Sequence, residues 1–287
     1  MSRTPTADLI FSFAVSLLVL ASAAPVAAQT VVDTCGQVTS GPAVLNADLD
    51  CTGFDGTVLT MKRGTLAMNG HTITGGHITV QCDRTCKIVG PGTLTGDGDS
   101  LIGVQAYDTG LKMTQVSSTN YVYAGVQVWD SATIQGPAVF SGNGIGLRIG
   151  SKAKLKGLTI TGNGGGVDAA NNAKTGTVSA IDCTISGNSG SGVYSQGTVK
   201  AVNSTITNNG EYGIYASAGF NCVKKAGASL KSSTVTGNAT GPDCGVTQDC
   251  ADVATCTQPR VEAGSTCGTS LKLGSSAPGP WGVCTAD

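Results

Sequence analysis

Charge is scarce in this sequence. Asp, Glu, Lys and Arg make up 12 % of it and cancel to a formal -1. That sum offers no electrostatic footprint for nucleic acid, whose binders show a basic stripe, so nucleic acid is not an expected partner. Aromatic residues stand at 5 %, and Leu-rich helical runs are absent. What fills the chain is Gly, 42 residues of it, with Thr, Ser, Val and Ile. A chain so rich in Gly and β-branched residues reads as all-β. Histidine occurs only at His71 and His77. Both lie far from the C-terminal cysteines and no paired CxxC is present, which argues against a zinc site.

Long apolar runs are also missing after the first thirty residues. Leu9 to Ala21 is apolar, Arg3 precedes it, and the small residues Val26-Ala27-Ala28 follow. That is the pattern of a secretory signal cut after Ala28. The run is shorter than the roughly 20 residues that span a bilayer, and Cys does not follow the cut, so neither a transmembrane segment nor a lipid anchor is expected. The mature chain is expected to be extracellular or periplasmic. Its 11 cysteines suit an oxidising destination. Spacing alone does not fix their connectivity. The expected pairs are Cys35–Cys51, Cys82–Cys86, Cys222–Cys244, Cys250–Cys256 and Cys267–Cys284, with Cys183 left over.

Self-similarity decides the architecture. One phrase recurs as Phe140-Ser-Gly-Asn143, Ile160-Thr-Gly-Asn163, Ile185-Ser-Gly-Asn188, Ile206-Thr-Asn-Asn209 and Val235-Thr-Gly-Asn238, with weaker versions at Ile73, Leu94 and Val116. The apolar marks are 21, 22, 24, 20, 25, 21 and 29 residues apart. A second phrase keeps step, beginning at Gly103, Gly125, Gly146, Gly166, Gly192 and Gly213. Each phrase alternates apolar and polar, so each is a short strand with one face inward. Gly and Asn between them are turn residues. A coil of this length holds three strands and three turns and cannot bury its inner face alone, so coils must stack about 4.8 Å apart. About eight coils result. The inward columns are Val104, Val126, Leu147, Val167, Val193 and Ile214, and Ile160, Ile185, Ile206 and Val235.

The repeat resembles that of the pectate-lyase-like superfamily of right-handed parallel β-helix proteins. Met68-Asn-Gly-His-Thr-Ile-Thr-Gly75 resembles an opening coil of its secreted members, which follows a Cys-bearing segment like Cys35 to Cys51. The resemblance covers about residues 33–241 and implies the fold rather than a function, because the superfamily holds lyases, hydrolases, epimerases and non-catalytic surface proteins. The expected fold is an all-β, right-handed parallel β-helix of about eight coils with disulfide-bonded caps at both ends. Residues 1–28 form the signal, 29–58 an N-terminal cap, 59–241 the β-helix and 242–287 a Cys-rich C-terminal cap. The Asn-Thr-Asp, Asp-Asp and Gly-His-Gly signatures of polygalacturonases are missing.

Several residues could carry chemistry. Asn143, Asn163, Asn188, Asn209 and Asn238 repeat with the turn, which predicts a hydrogen-bonded ladder between coils. Asn203 and Asn238 begin glycosylation sequons, of which a laddered Asn238 would be unavailable. His71 shows no Asp, Ser or Cys partner nearby, so catalysis is not expected there. Asp108 and Asp130 fall at the same turn position on adjacent coils, near 5 Å apart, with Tyr107 and Trp129 stacked beside them. They are the only candidate catalytic carboxylates. No cofactor is expected, calcium between such paired carboxylates being the one exception. Ser151 and Asn171 continue that column without charge. An outward column runs through Gln105, Gln127, Arg148, Asp168, Tyr194 and Tyr215. Rings for pyranose CH groups and amides or carboxylates for hydroxyls are the ingredients of a glycan-binding surface. The other outer strand exposes Lys154, Lys200, Ser179 and Ser229 with Asp182 nearby, and no Asp cluster is legible there.

The leading expectation is a secreted, monomeric, non-catalytic protein that binds a polysaccharide or cell-surface glycan. Its rivals are a lyase, hydrolase or epimerase acting on an acidic polysaccharide, and a structural envelope or adhesin module.

Overall fold

The computed structural model describes residues 28–107, 110–170, 176–217, 222, 226–242, 244, 250–274 and 279–287. The expected signal segment lies outside them. Among the described residues there is no helix, and every strand pairing is parallel. Strands such as Ile102–Ala106, Ala124–Val128 and Ile145–Ile149 stack in one sheet. A second sheet takes two strands from each coil, sometimes as one bent run such as Lys152–Thr161. The chain is a right-handed parallel β-solenoid of about eight turns.

Alternation along each strand makes the core. Val80, Val104, Val126, Leu147, Val167, Val193, Ile214 and Val253 are register partners in one buried column. Ile160, Ile185, Ile206 and Val235 form another. One position differs from the sequence reading. Leu94 and Phe140 are in register with Ser118, not with Val116. The positive φ of Gln115 turns the chain just before, so Val116 fills the buried corner and Ser118 takes the column. Its hydroxyl is satisfied there by donating to the Gly125 carbonyl at 2.9 Å.

The recurring Gly has a backbone reason. Gly142, Gly162, Gly187 and Gly237 all lie at φ between 64° and 67°, with Asn208 at 56° in the one phrase that lacks Gly. The left-handed conformation is cheap for these residues only, and each is followed by a ladder asparagine. Asn143 donates its side-chain N–H to Asn163 at 2.9 Å, Asn163 to Asn188 at 2.9 Å, Asn188 to Asn209 at 2.8 Å and Asn209 to Asn238 at 2.8 Å. The side-chain oxygens of Asn163, Asn188, Asn209 and Asn238 also accept the backbone N–H of the preceding ladder residue, and that of Asn143 accepts the Tyr121 N–H. The last acceptor is not an asparagine. Asn238 donates to Asp252 Oδ1 from its side chain at 2.7 Å and its backbone at 2.9 Å, while the backbone N–H of Thr269 donates to Oδ2 at 2.9 Å. Only acceptors are needed at that end, and a carboxylate supplies them. Asn238 is thereby buried and Asn203 exposed, leaving the Asn203 sequon as the accessible one.

The disulfides Cys35–Cys51, Cys82–Cys86 and Cys267–Cys284 form as expected. The expected pairs Cys222–Cys244 and Cys250–Cys256 do not. Cys222 joins Cys256, and Cys244 joins Cys250. The reason is coil stacking: Val253–Thr255 pairs with Ile214–Ala216, which lays Cys256 over the preceding coil instead of beside Cys250. Strands from both Cys-bearing ends join the sheets, Gln37–Thr39 at one end and Ser270–Lys272 at the other. Cys183 heads a second, hydroxyl ladder, its backbone N–H donating to Ser204, whose own N–H donates to Ser233 and that of Ser233 to Ser265. Burial pushes its thiol pKa up.

An interior ladder amide has no substitute partner, because water does not reach it. Asn188→Ala should destabilise the fold by about 2–4 kcal/mol, since donors and acceptors on both neighbours lose their partners. Asp252→Ala should cost about as much. Equilibrium denaturation checks both, and a loss below about 1 kcal/mol in either would contradict the ladder's role.

Candidate functional site

The outward column is built by the same register as the core. Gln81, Gln105, Gln127, Arg148, Asp168, Tyr194 and Tyr215 are successive partners on neighbouring strands. Strand alternation turns all of them away from the interior, and coil stacking sets each about 4.8 Å from the next. Two residues beyond Gln105 and Gln127, the rings of Tyr107 and Trp129 stack with centroids 4.9 Å apart and planes 19° apart. Each is 39 % exposed. The Tyr107 hydroxyl donates to Gln105 Oε1 at 2.8 Å, so Gln105 is buried beneath the ring it holds and offers little to a ligand. Farther along, Tyr194 and Tyr215 stack at 5.2 Å and 6°, and Tyr212 tilts against Tyr215 at 4.8 Å.

Arg148 and Asp168 lie between the two aromatic groups. The Arg148 guanidinium carbon lies 5.3 Å from the Tyr123 ring centroid, and its Nε is 3.6 Å from Asp168 Oδ2. The other carboxylate oxygen, Oδ1, is buried without a hydrogen-bond partner. Burial raises the Asp168 pKa above its ordinary value, and the opposing pull of Arg148 and the Ala170 backbone does not cancel it. Tyr123, Gln127, Trp129, Arg148, Gly150 and Ala170 line an open depression of about 290 Å³. That is near the lower end of the roughly 300–1,000 Å³ of ligand clefts. Its shape suits one segment of a long ligand better than a whole small molecule.

The carboxylate pair predicted from sequence is only half visible. Asp130 is half-buried beside Trp129, while Asp108, its expected partner, lies outside the described residues, as does Asn171. Among the described residues, no three His, Cys, Asp or Glu side chains stand together as a metal site. His71 does have a carboxylate neighbour, contrary to the sequence reading. Asp48 Oδ1 lies 3.3 Å from His71 Nδ1 and also accepts the Thr72 N–H at 2.8 Å. The pair is one coil apart, too distant in sequence for a local pattern to reveal, and it ties a turn. Asp97 ties another, accepting from Gly53 N–H at 2.9 Å and Ser100 Oγ at 2.7 Å, which holds its carboxyl below the usual range.

A carboxyl whose pKa is raised by folding stabilises the folded state most below its unfolded value. That contribution is lost as pH rises through the raised value. Asp168→Asn should therefore flatten the pH dependence of stability just above the ordinary carboxylate range. At pH 7 the variant should lie within about 1 kcal/mol of wild type. Denaturation at stepped pH is the check, and an unchanged profile would refute the assignment.

No curated protein sequence and no solved structure matches the chain. A family model described as the right handed beta helix region matches residues 102–257. These are the coils that carry the Asn ladder and most of the outward column, and the chain belongs to this right-handed β-helix family.

Proposed function

We propose that this is a secreted, non-catalytic protein that binds a glycan chain along its outward aromatic column. The observation that carries the reading is the stacked, exposed Tyr107–Trp129 pair beside Gln127 and Arg148. Aromatic faces pack on the CH faces of pyranoses, and the amide and guanidinium meet the hydroxyls. A second aromatic group, Tyr194 with Tyr215, lies three coils from Gln127 along the column. That is about 14 Å away, a separation that one extended glycan spans and a single sugar does not. Five disulfides support an oxidising, extracellular or periplasmic location, as does the signal-like sequence of residues 1–28. Trp129→Ala should weaken retention on the polysaccharide matrices that hold the wild type by about tenfold. Affinity electrophoresis through cellulose, xylan, chitin and β-glucan gels measures it, and unchanged retention on all of them would sink the reading.

An enzyme acting on an acidic polysaccharide is the second reading, favoured by Asp168, whose carboxyl pKa burial pushes up and which lies 3.6 Å from Arg148 of that depression. It requires product release from uronate polymers in the presence of calcium, lost in Asp130→Asn or Asp168→Asn. No unsaturated or reducing-end product from any such polymer would exclude it.

A further inference from the structure

The chain is nearly neutral overall, yet its cations are not evenly spread. On the first strand of successive coils, the outward residues are Lys87, Lys112, Thr133, Lys154, Ser179, Lys200, Ser229 and Arg260, each the register partner of the next. Seven coil steps of about 4.8 Å make this row about 34 Å long. It carries no acid along its length. Lys152 and Lys156 point outward from the same strand as Lys154, giving one rung three exposed lysines. The ion pairs among the described residues are His71–Asp48, Arg148–Asp168 and Arg260–Glu262, so no lysine of the row is paired with a described acid. Like charges stacked on adjacent strands destabilise a sheet. The hydroxyl residues set between them spread that repulsion without removing it.

We propose that this lysine row docks a linear sulfated glycan laid along the rod axis. Three features select that ligand. The charges run in single file, which matches a linear polyanion better than a broad anionic surface. The cations of the row are mostly lysines, compact point charges that meet tetrahedral oxyanions without requiring a fixed planar geometry. The row's one arginine already faces Glu262. Thr133, Ser179 and Ser229 add donors between the charges for sulfate oxygens. No aromatic residue stands on the row to stack a nucleobase, as single-strand binders require. The row lies on a different sheet from the Tyr107–Trp129 face, so the two proposals stand or fall separately.

The test compares binding of the full chain to chondroitin sulfate, to its chemically desulfated form and to duplex DNA at about 0.1 M salt, where exposed charges are screened beyond roughly 10 Å. The sulfated polymer should bind most tightly. Lys112→Gln/Lys154→Gln/Lys200→Gln should weaken it about tenfold. The corresponding triple Arg variant and Trp129→Ala should bind as the wild type does. A second measurement needs no variant: bound chondroitin sulfate should protect Lys112, Lys154 and Lys200 of the wild type from amine acetylation, and leave Lys272 reactive. Equal binding of the desulfated polymer or of DNA, a Gln variant within twofold of wild type, or uniform acetylation would each overturn the proposal.

Discussion

From Asn143 to Asn238, one side-chain amide per coil holds this rod in register. A parallel strand can slide by two residues and still bury an apolar face, so hydrophobic stacking alone leaves the pairing loosely specified. The ladder from Asn143 to Asn238 removes that freedom, because each amide accepts from one neighbour, donates to the other and also bonds a strand carbonyl. A coil shifted by one step would leave several buried polar groups without partners at once. The left-handed residue before each ladder amide, Gly in four phrases and Asn208 in the fifth, makes the turn that brings the amide inside. Asp252 closes the ladder with a group that can only accept.

Everything outside the core inherits this register. Because each coil lands directly over the last, an outward position repeated along the sequence becomes a straight column on the surface. Two such columns differ in kind. One presents rings and amides with a single ion pair, Arg148–Asp168, between its aromatic groups. The other presents lysines interrupted by hydroxyls. The two columns lie on different sheets, so the register that builds them also keeps them apart.

Local pattern carried most of the fold. The alternation in the Gly-Val and Ile-Thr-Gly-Asn phrases places Val104 to Ile214 inward and Gln105 to Tyr215 outward, because strand geometry leaves a side chain only two directions. The pattern failed where a contact joins coils of unequal length. Ser118 replaces Val116 because a corner, not a strand, precedes it. Cys256 meets Cys222 because a strand between Cys250 and Cys256 joins the preceding coil. Asp48 meets His71, and Asp252 meets Asn238, across separations that no local motif spans.

By itself, then, the sequence determined the repeat, the all-β class, the inward columns and the ladder, since these follow from the order of apolar, polar and turn residues along one chain. Only the tertiary structure decided which cysteines pair, where the ladder ends and how charge is distributed. The formal -1 is a sum over the chain and carries no direction. Stacking gives it one, because register sets Lys87, Lys112, Lys154 and Lys200 on one line while Asp168 is drawn beneath Arg148 on another face.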